Sequence, residues 1–163
     1  MTKQIGVIGA GGWGTAIALL LAKKGHAVTL WARRAEFCQH LCKYRENTAY
    51  LPGVLLPANI EITSCLEQAA KAKDLVVIAT PAKAVRTTIE AIKDLIHGDT
   101  IIVSLSKGLE RGTFLRCSQV ISQVAGKEDR VVVISGPNHA EEVARDIPTA
   151  TVAAGYSLSA AQE

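Results

Sequence analysis

Six residues near the amino terminus, Gly9-Ala10-Gly11-Gly12-Trp13-Gly14, carry the spacing G-x-G-x-x-G. They follow a short apolar run, Ile5 to Ile8, and precede Trp13, Ala16, Ile17, Leu20 and Leu21, which recur at helical spacing. Strand, glycine turn and helix in that order are the context in which this pattern binds a dinucleotide. Gly9 then permits the tight turn, Gly11 lets the backbone approach a pyrophosphate, and Gly14 lets the helix pack closely on the strand. The helix start presents free N–H groups and partial positive charge to the phosphates. A glycine-rich turn with no ligand is the bland alternative, and the flanking elements weigh against it.

The corner after the second apolar run decides which dinucleotide is expected. An NAD-selective site places an acidic residue there, bonded to the ribose 2′-hydroxyl. This sequence reads Leu30-Trp31-Ala32-Arg33-Arg34, with no acid before Glu36. Two guanidinium groups suit a 2′-phosphate, because arginine forks onto phosphate oxygens and stacks on adenine. NADP(H) is therefore favoured over NAD(H), against the alternative that both arginines are solvated helix-start charges.

A second set of polar residues follows the later apolar runs: Thr80-Pro81-Ala82-Lys83, Ser106-Lys107-Gly108-Leu109-Glu110, and Ser135-Gly136-Pro137-Asn138-His139-Ala140-Glu141-Glu142. Lys107 beside a flexible glycine is the candidate catalytic group, able to hold an anionic or carbonyl oxygen. Asn138 is placed to donate or accept near the start of a helix. Each turn alone reads as an ordinary surface turn; three at one rim beside a nucleotide motif point to a site. The four histidines do not fall at metal-ligand spacing, so no metal is expected. Cys38 and Cys42 share a helix face but read as small partly buried residues.

The elements that must position these groups alternate. Strands are predicted at Ile5–Ile8, Ala27–Trp31, Ile60–Thr63, Leu75–Ala79, Thr100–Ser104, Val131–Ile134 and Thr149–Ala154. Helices are predicted from Trp13 to a stop at Gly25, and at Ala35–Cys42, Leu66–Ala72, Ala84–Ile96 and Leu115–Val124, with another beginning at Ser157. Several strands are continuous apolar runs, the mark of strands buried on both faces. An α/β fold follows, a doubly wound, mostly parallel sheet with helices on both faces. The stretch from Tyr44 to Asn59, with Pro52, Gly53 and Pro57, reads as an irregular excursion, either functional or mobile.

With 163 residues, 48% of them apolar and 20% charged, the chain suits one globular domain. A net charge of +3 and 4% aromatic residues argue against a nucleic-acid partner. Four cysteines without a disulfide framework suit a reducing compartment. The longest apolar run falls well short of the ~20 residues that cross a bilayer, so no membrane insertion is expected and a cytoplasmic protein is the default.

These blocks resemble a known family. Ile8-Gly9-Ala10-Gly11-Gly12-Trp13-Gly14-Thr15-Ala16, Asn47 with Tyr50-Leu51-Pro52, Ser106 to Glu110 and Ser135 to Val143 stand in the order and spacing of bacterial NAD(P)-dependent glycerol-3-phosphate dehydrogenase. The resemblance implies that residues 1–163 form a Rossmann-like NAD(P)-binding domain. It implies hydride transfer between NAD(P)H and dihydroxyacetone phosphate, giving sn-glycerol 3-phosphate for phospholipid synthesis. Carried over residue by residue, cofactor contacts fall on Gly12, Trp13, Arg33, Arg34, Tyr50, Lys107 and Ala140, and substrate contacts on Lys107, Gly136 and Asn138. Family members often have Ser or Thr where this chain has Asn138, and Ser where it has Gly12. The resemblance also implies a small phosphorylated substrate, a homodimer for the full-length protein, and a helical second domain, absent from this sequence, that carries the general acid/base lysine. The 163-residue chain alone is thus expected to bind cofactor with little turnover. The alternatives are a non-catalytic NADP(H)-binding module and a related hydroxy-acid dehydrogenase.

Overall fold

The computed structural model describes residues 2–163. Seven strands form one sheet in the order β5-β2-β1-β6-β7-β8-β9, built from β1 (Gln4–Ile8), β2 (Ala27–Trp31), β5 (Ile60–Thr63), β6 (Leu75–Ile78), β7 (Ile101–Ser104), β8 (Val131–Ser135) and β9 (Val152–Gly155). All neighbours are parallel except β8 and β9. The sheet is Rossmann-like. Its first strand lies in the interior, and successive crossovers run from it toward one edge and then toward the other.

Apolar runs make these strands because both faces are covered. In β1, Val7 belongs to the core layer that includes residues of helices α1 (Gly12–Lys23), α2 (Ala35–Tyr44) and α6 (Ala140–Ala144), whereas Ile8 belongs to the layer that includes residues of α3 (Leu66–Ala70), α4 (Ala82–Ile92) and α5 (Cys117–Ala125). The same alternation sends Val77, Ile101 and Val103 to the first layer and Val76, Ile78 and Ile102 to the second. Burying each such side chain contributes about 2 kcal/mol. The last helix, α7 (Leu158–Gln162), is capped by Ser157, whose hydroxyl accepts from the Ala160 N–H.

Three expectations are corrected. The 44–59 stretch is not irregular throughout: β3 (Glu46–Asn47) and β4 (Leu51–Leu55) form an antiparallel hairpin. Its apolar residues Leu51, Val54 and Leu56 enter the first core layer, which is why it is ordered. The last strand begins at Val152 rather than Thr149, and it runs antiparallel to β8, pairing Ser135 with Val152 and Val132 with Gly155, because α6 packs on α1 and the chain then turns back along the sheet edge. The helix expected at 84–96 starts at Ala82 and ends at Ile92, passing into a 3-10 turn at Lys93–Leu95.

A close packing point fixes the sheet to its second helical layer. A side-chain carbon added at Gly6 would overlap the Ala69 carbonyl oxygen in α3. Gly6→Ala is therefore expected to lower stability by about 3 kcal/mol. Urea unfolding should show a lower midpoint at unchanged m-value; an unchanged midpoint would contradict this packing.

Candidate functional site

A cleft of about 780 Å³ opens at the carboxyl ends of β1 and β6. Crossovers leave these two neighbouring strands in opposite directions, the place where an open parallel sheet leaves a crevice. The turns after β1, β2, β6, β7 and β8 all contribute to its walls.

The floor is the glycine turn. Gly9 has φ +121°, and a carbon there would lie 2.7 Å from the Ala79 carbonyl oxygen. A carbon at Gly14 would overlap the Gly9 carbonyl oxygen, so the helix sits directly on the turn. At Gly11 the space is open: nothing lies within 4 Å of the added carbon. No protein atom fills this room at the start of α1. Helix α1 begins here with no side-chain cap and no acidic residue in its first turn. Its leading N–H groups and positive dipole end are thus left for an anion. The turn fits a dinucleotide pyrophosphate.

One wall is the β3–β4 hairpin. Asn47 is fully buried; its Nδ2 donates to the Ala10 carbonyl at 3.1 Å and to Thr15 Oγ1 at 2.7 Å. Its Oδ1 accepts from the Tyr50 N–H at 3.1 Å. A carbon at Gly12 would lie 2.6 Å from the Tyr50 carbonyl oxygen, so the hairpin rests on the glycine turn itself.

The outer end is cationic and aromatic. Arg33 and Arg34 are exposed and form no ion pair among the described residues. The Arg34 guanidinium lies 5.6 Å from the Phe37 ring centroid, and the Phe37 and Tyr50 rings meet edge to face at 5.6 Å. Trp13 and Trp31 also line the cleft.

The inner end holds Thr80, Ser106, Lys107, Asn138, His139 and Ala140. Ser106 Oγ donates to the Thr80 carbonyl at 2.6 Å and so joins the turns after β6 and β7. Lys107 is exposed and makes no hydrogen bond or ion pair among the described residues; Gly108 follows it at φ +109°. Three side-chain oxygens are buried without a partner among the described residues: Thr80 Oγ1 and Asn138 Oδ1 in this lining, and Ser104 Oγ outside it. Buried polar atoms in that state point to an additional partner such as a ligand or water.

Below Lys107 the loop is clamped. Arg86 Nε and Nη2 donate to the two Glu110 oxygens at 2.8 and 2.9 Å, and the Thr113 hydroxyl donates to Oε2 at 2.6 Å. The Cys117 thiol donates to the Gly108 carbonyl at 3.5 Å, and burial pushes its pKa up, keeping it a donor.

Of the residues expected at the site, Gly9, Gly11, Gly12, Trp13, Gly14, Arg33, Arg34, Tyr50, Lys107, Asn138 and Ala140 share this cleft. Gly136 stands outside its lining; a carbon there would lie 2.5 Å from the Ala150 carbonyl oxygen, so it is a close backbone crossing. Cys38 is buried and Cys42 exposed, and no metal-binding cluster occurs among the described residues. Sequence reasoning passed over Phe37, which its place three residues after Arg34 on α2 could have suggested. It also gave Asn47 no role, since its partners at Ala10 and Thr15 are distant in sequence.

The sequence profile described as NAD-dependent glycerol-3-phosphate dehydrogenase N-terminus matches residues 4–161. The chain belongs to that family. It is 47% identical over 162 residues to glycerol-3-phosphate dehydrogenase (NAD(P)+) of Moorella thermoacetica, covering 99% of this chain and 48% of that protein. The Chlorobium luteolum counterpart is 44% identical over 161 residues, 98% of this chain and 48% of its own length. A crystal structure of the Coxiella burnetii glycerol-3-phosphate dehydrogenase superposes with a TM-score of 0.90 at 32% identity, covering 99% of this chain and 49% of that one. The chain thus spans about half the length of the relatives it matches. Among the described residues, no helix is long and apolar enough to cross a membrane.

The clamp under Lys107 has a pH signature in this family member. The Arg86 fork, then the Thr113 hydroxyl, holds the Glu110 carboxyl down at about 2, below its ordinary 4.5. A depressed carboxylate stabilises the fold above its unfolded value, and that contribution is lost as pH falls through the folded one. The stability difference between the unmodified chain and Glu110→Gln should therefore hold at neutral pH and shrink between pH 4.5 and 2. A difference independent of pH would show that the ion pair does not anchor this loop.

Proposed function

We propose that this chain is the NAD(P)-binding domain of a glycerol-3-phosphate dehydrogenase that interconverts sn-glycerol 3-phosphate and dihydroxyacetone phosphate, with NADP(H) preferred. The observation that carries it is one cleft containing an uncapped glycine turn, two unpaired arginines at one end and Lys107 at the other. Bound there, the nicotinamide cofactor supplies or accepts the hydride.

The chain's own groups divide the work. Gly9, Gly11, Gly12 and Gly14 leave backbone N–H groups free for the pyrophosphate, and Trp13 flanks it. Arg33 and Arg34 grip the 2′-phosphate, with Tyr50 beside the adenine. Ala140 borders the nicotinamide end. Lys107 holds the substrate carbonyl oxygen and favours the charge that develops on it. Asn138, buried with a free oxygen, meets a substrate hydroxyl, and Gly136 belongs to the same turn. The Asn138 amide offers both donor and acceptor, as a Ser or Thr hydroxyl would. Phospholipid precursor supply, a homodimeric full-length protein and a cytoplasmic location complete this reading; the four free thiols suit a reducing compartment.

Charge-assisted hydrogen bonds contribute roughly 1.5–3 kcal/mol each. Arg33→Ala with Arg34→Ala should therefore weaken NADPH binding at least tenfold more than NADH binding in calorimetric titration. Equal losses for the two nucleotides would remove the 2′-phosphate assignment.

Carbonyl reduction needs polarisation and protonation together. The 163-residue polypeptide is expected to bind NADPH but to oxidise it negligibly with dihydroxyacetone phosphate, whereas the full-length protein turns over and loses most activity on Lys107→Met. Rapid turnover by the short polypeptide, or an active Lys107→Met enzyme, would contradict this division of labour.

A further inference from the structure

Both polar atoms of the Asn47 amide are hydrogen-bonded. Both Nδ2 protons have acceptors, the Ala10 carbonyl and the Thr15 hydroxyl oxygen, and Oδ1 accepts the Tyr50 N–H. One buried side chain thus joins the glycine turn, the first turn of α1 and the tip of the β3–β4 hairpin. A two-stranded hairpin is marginal by itself, and here β3 is two residues long with a register shift between Glu46 and Asn47. Its body is held by the buried Leu51 and Val54. Its tip, residues 48–50, is exposed.

The tip is also the part that faces the cleft. The Tyr50 carbonyl rests against Gly12, and the Tyr50 ring meets Phe37, over which Arg34 lies. A shift of the Tyr50 segment therefore moves the hairpin wall off the glycine turn, while Arg34 is carried separately at the start of α2.

We propose that Asn47 is a positioning residue for the cofactor: it holds the Tyr50 segment down on the glycine turn and so sets the width of the cleft between pyrophosphate and adenine. This rests on the reading that the cleft takes a nicotinamide dinucleotide. Asn47 touches no part of that ligand; it acts through Ala10, Thr15 and Tyr50. Its contribution is blind to the 2′-phosphate, which separates it from Arg33 and Arg34.

The test compares NADPH and NADH dissociation constants, by calorimetry, for the unmodified chain, Asn47→Ala, Tyr50→Ala, the double variant and Thr15→Val, with hydrogen exchange at the Tyr50 amide. Asn47→Ala should weaken both nucleotides by the same factor, about tenfold, and speed Tyr50 exchange. The double variant should lose less than the sum of the two single losses, because the Tyr50 ring is one of the groups that Asn47 positions. Thr15→Val keeps the side-chain shape and removes one acceptor, so it should move in the same direction by less; it serves also if Asn47→Ala does not fold. Unchanged dissociation constants in Asn47→Ala despite lower stability, or in Thr15→Val should Asn47→Ala not fold, would overturn the assignment, as would fully additive losses with Tyr50→Ala. Failure of the unmodified chain to bind either nucleotide would overturn the cofactor reading and this one with it.

Discussion

Everything in this molecule depends on how closely backbone can approach backbone at the fork between β1 and β6. Gly9 turns against the Ala79 carbonyl, and α1 starts so tightly on that turn that Gly14 has no room for a carbon. The helix axis is thereby aimed at the crevice, and its first N–H groups end at the carboxyl edge of the sheet. Moving α1 outward to admit side chains would close the crevice from below and turn the dipole away from it. Gly9, Gly12 and Gly14 are thus spent where two pieces of main chain meet, whereas the space beside Gly11 is open.

Around that fork the charges are sorted by distance. Cations that have partners, such as Arg86 and Arg45, fasten loops: Arg86 holds Glu110, and Arg45 reaches the carbonyls of Leu56, Pro57 and Ile60. Cations without partners, Arg33, Arg34 and Lys107, stand at the two ends of the cleft. A guanidinium already committed to a carboxylate would have to break that pair to bind a phosphate, so leaving these side chains free keeps association inexpensive.

Much of this was legible because it is local. The glycine spacing, the apolar runs and the Arg33–Arg34 corner each sit within a few residues, and period and context identify them. The hairpin was not, because β3 and β4 are short, contain Pro52 and Gly53, and owe their order to burial of Leu51 and Val54 under α1. Asn47 carried a family likeness in the sequence but no role, for a related reason: its partners Ala10 and Thr15 meet it only through the fold. The direction of β9 likewise depends on tertiary pairing rather than on composition. Gly136 reads as a site glycine from its neighbours, yet its immediate constraint is the crossing of Ala150.

The sequence contains two tryptophans, and both border the same cleft. Trp13 lies in the first turn of α1, and Trp31 ends β2 with its Nε1 donating to the Ser64 carbonyl. No other indole lies among these 163 residues. Light absorbed by tryptophan in this domain is therefore absorbed at the cleft, and any reduced nicotinamide seated there would collect it by energy transfer. The domain carries its own optical probe of the cleft, with no label and no indole on the far side of the sheet.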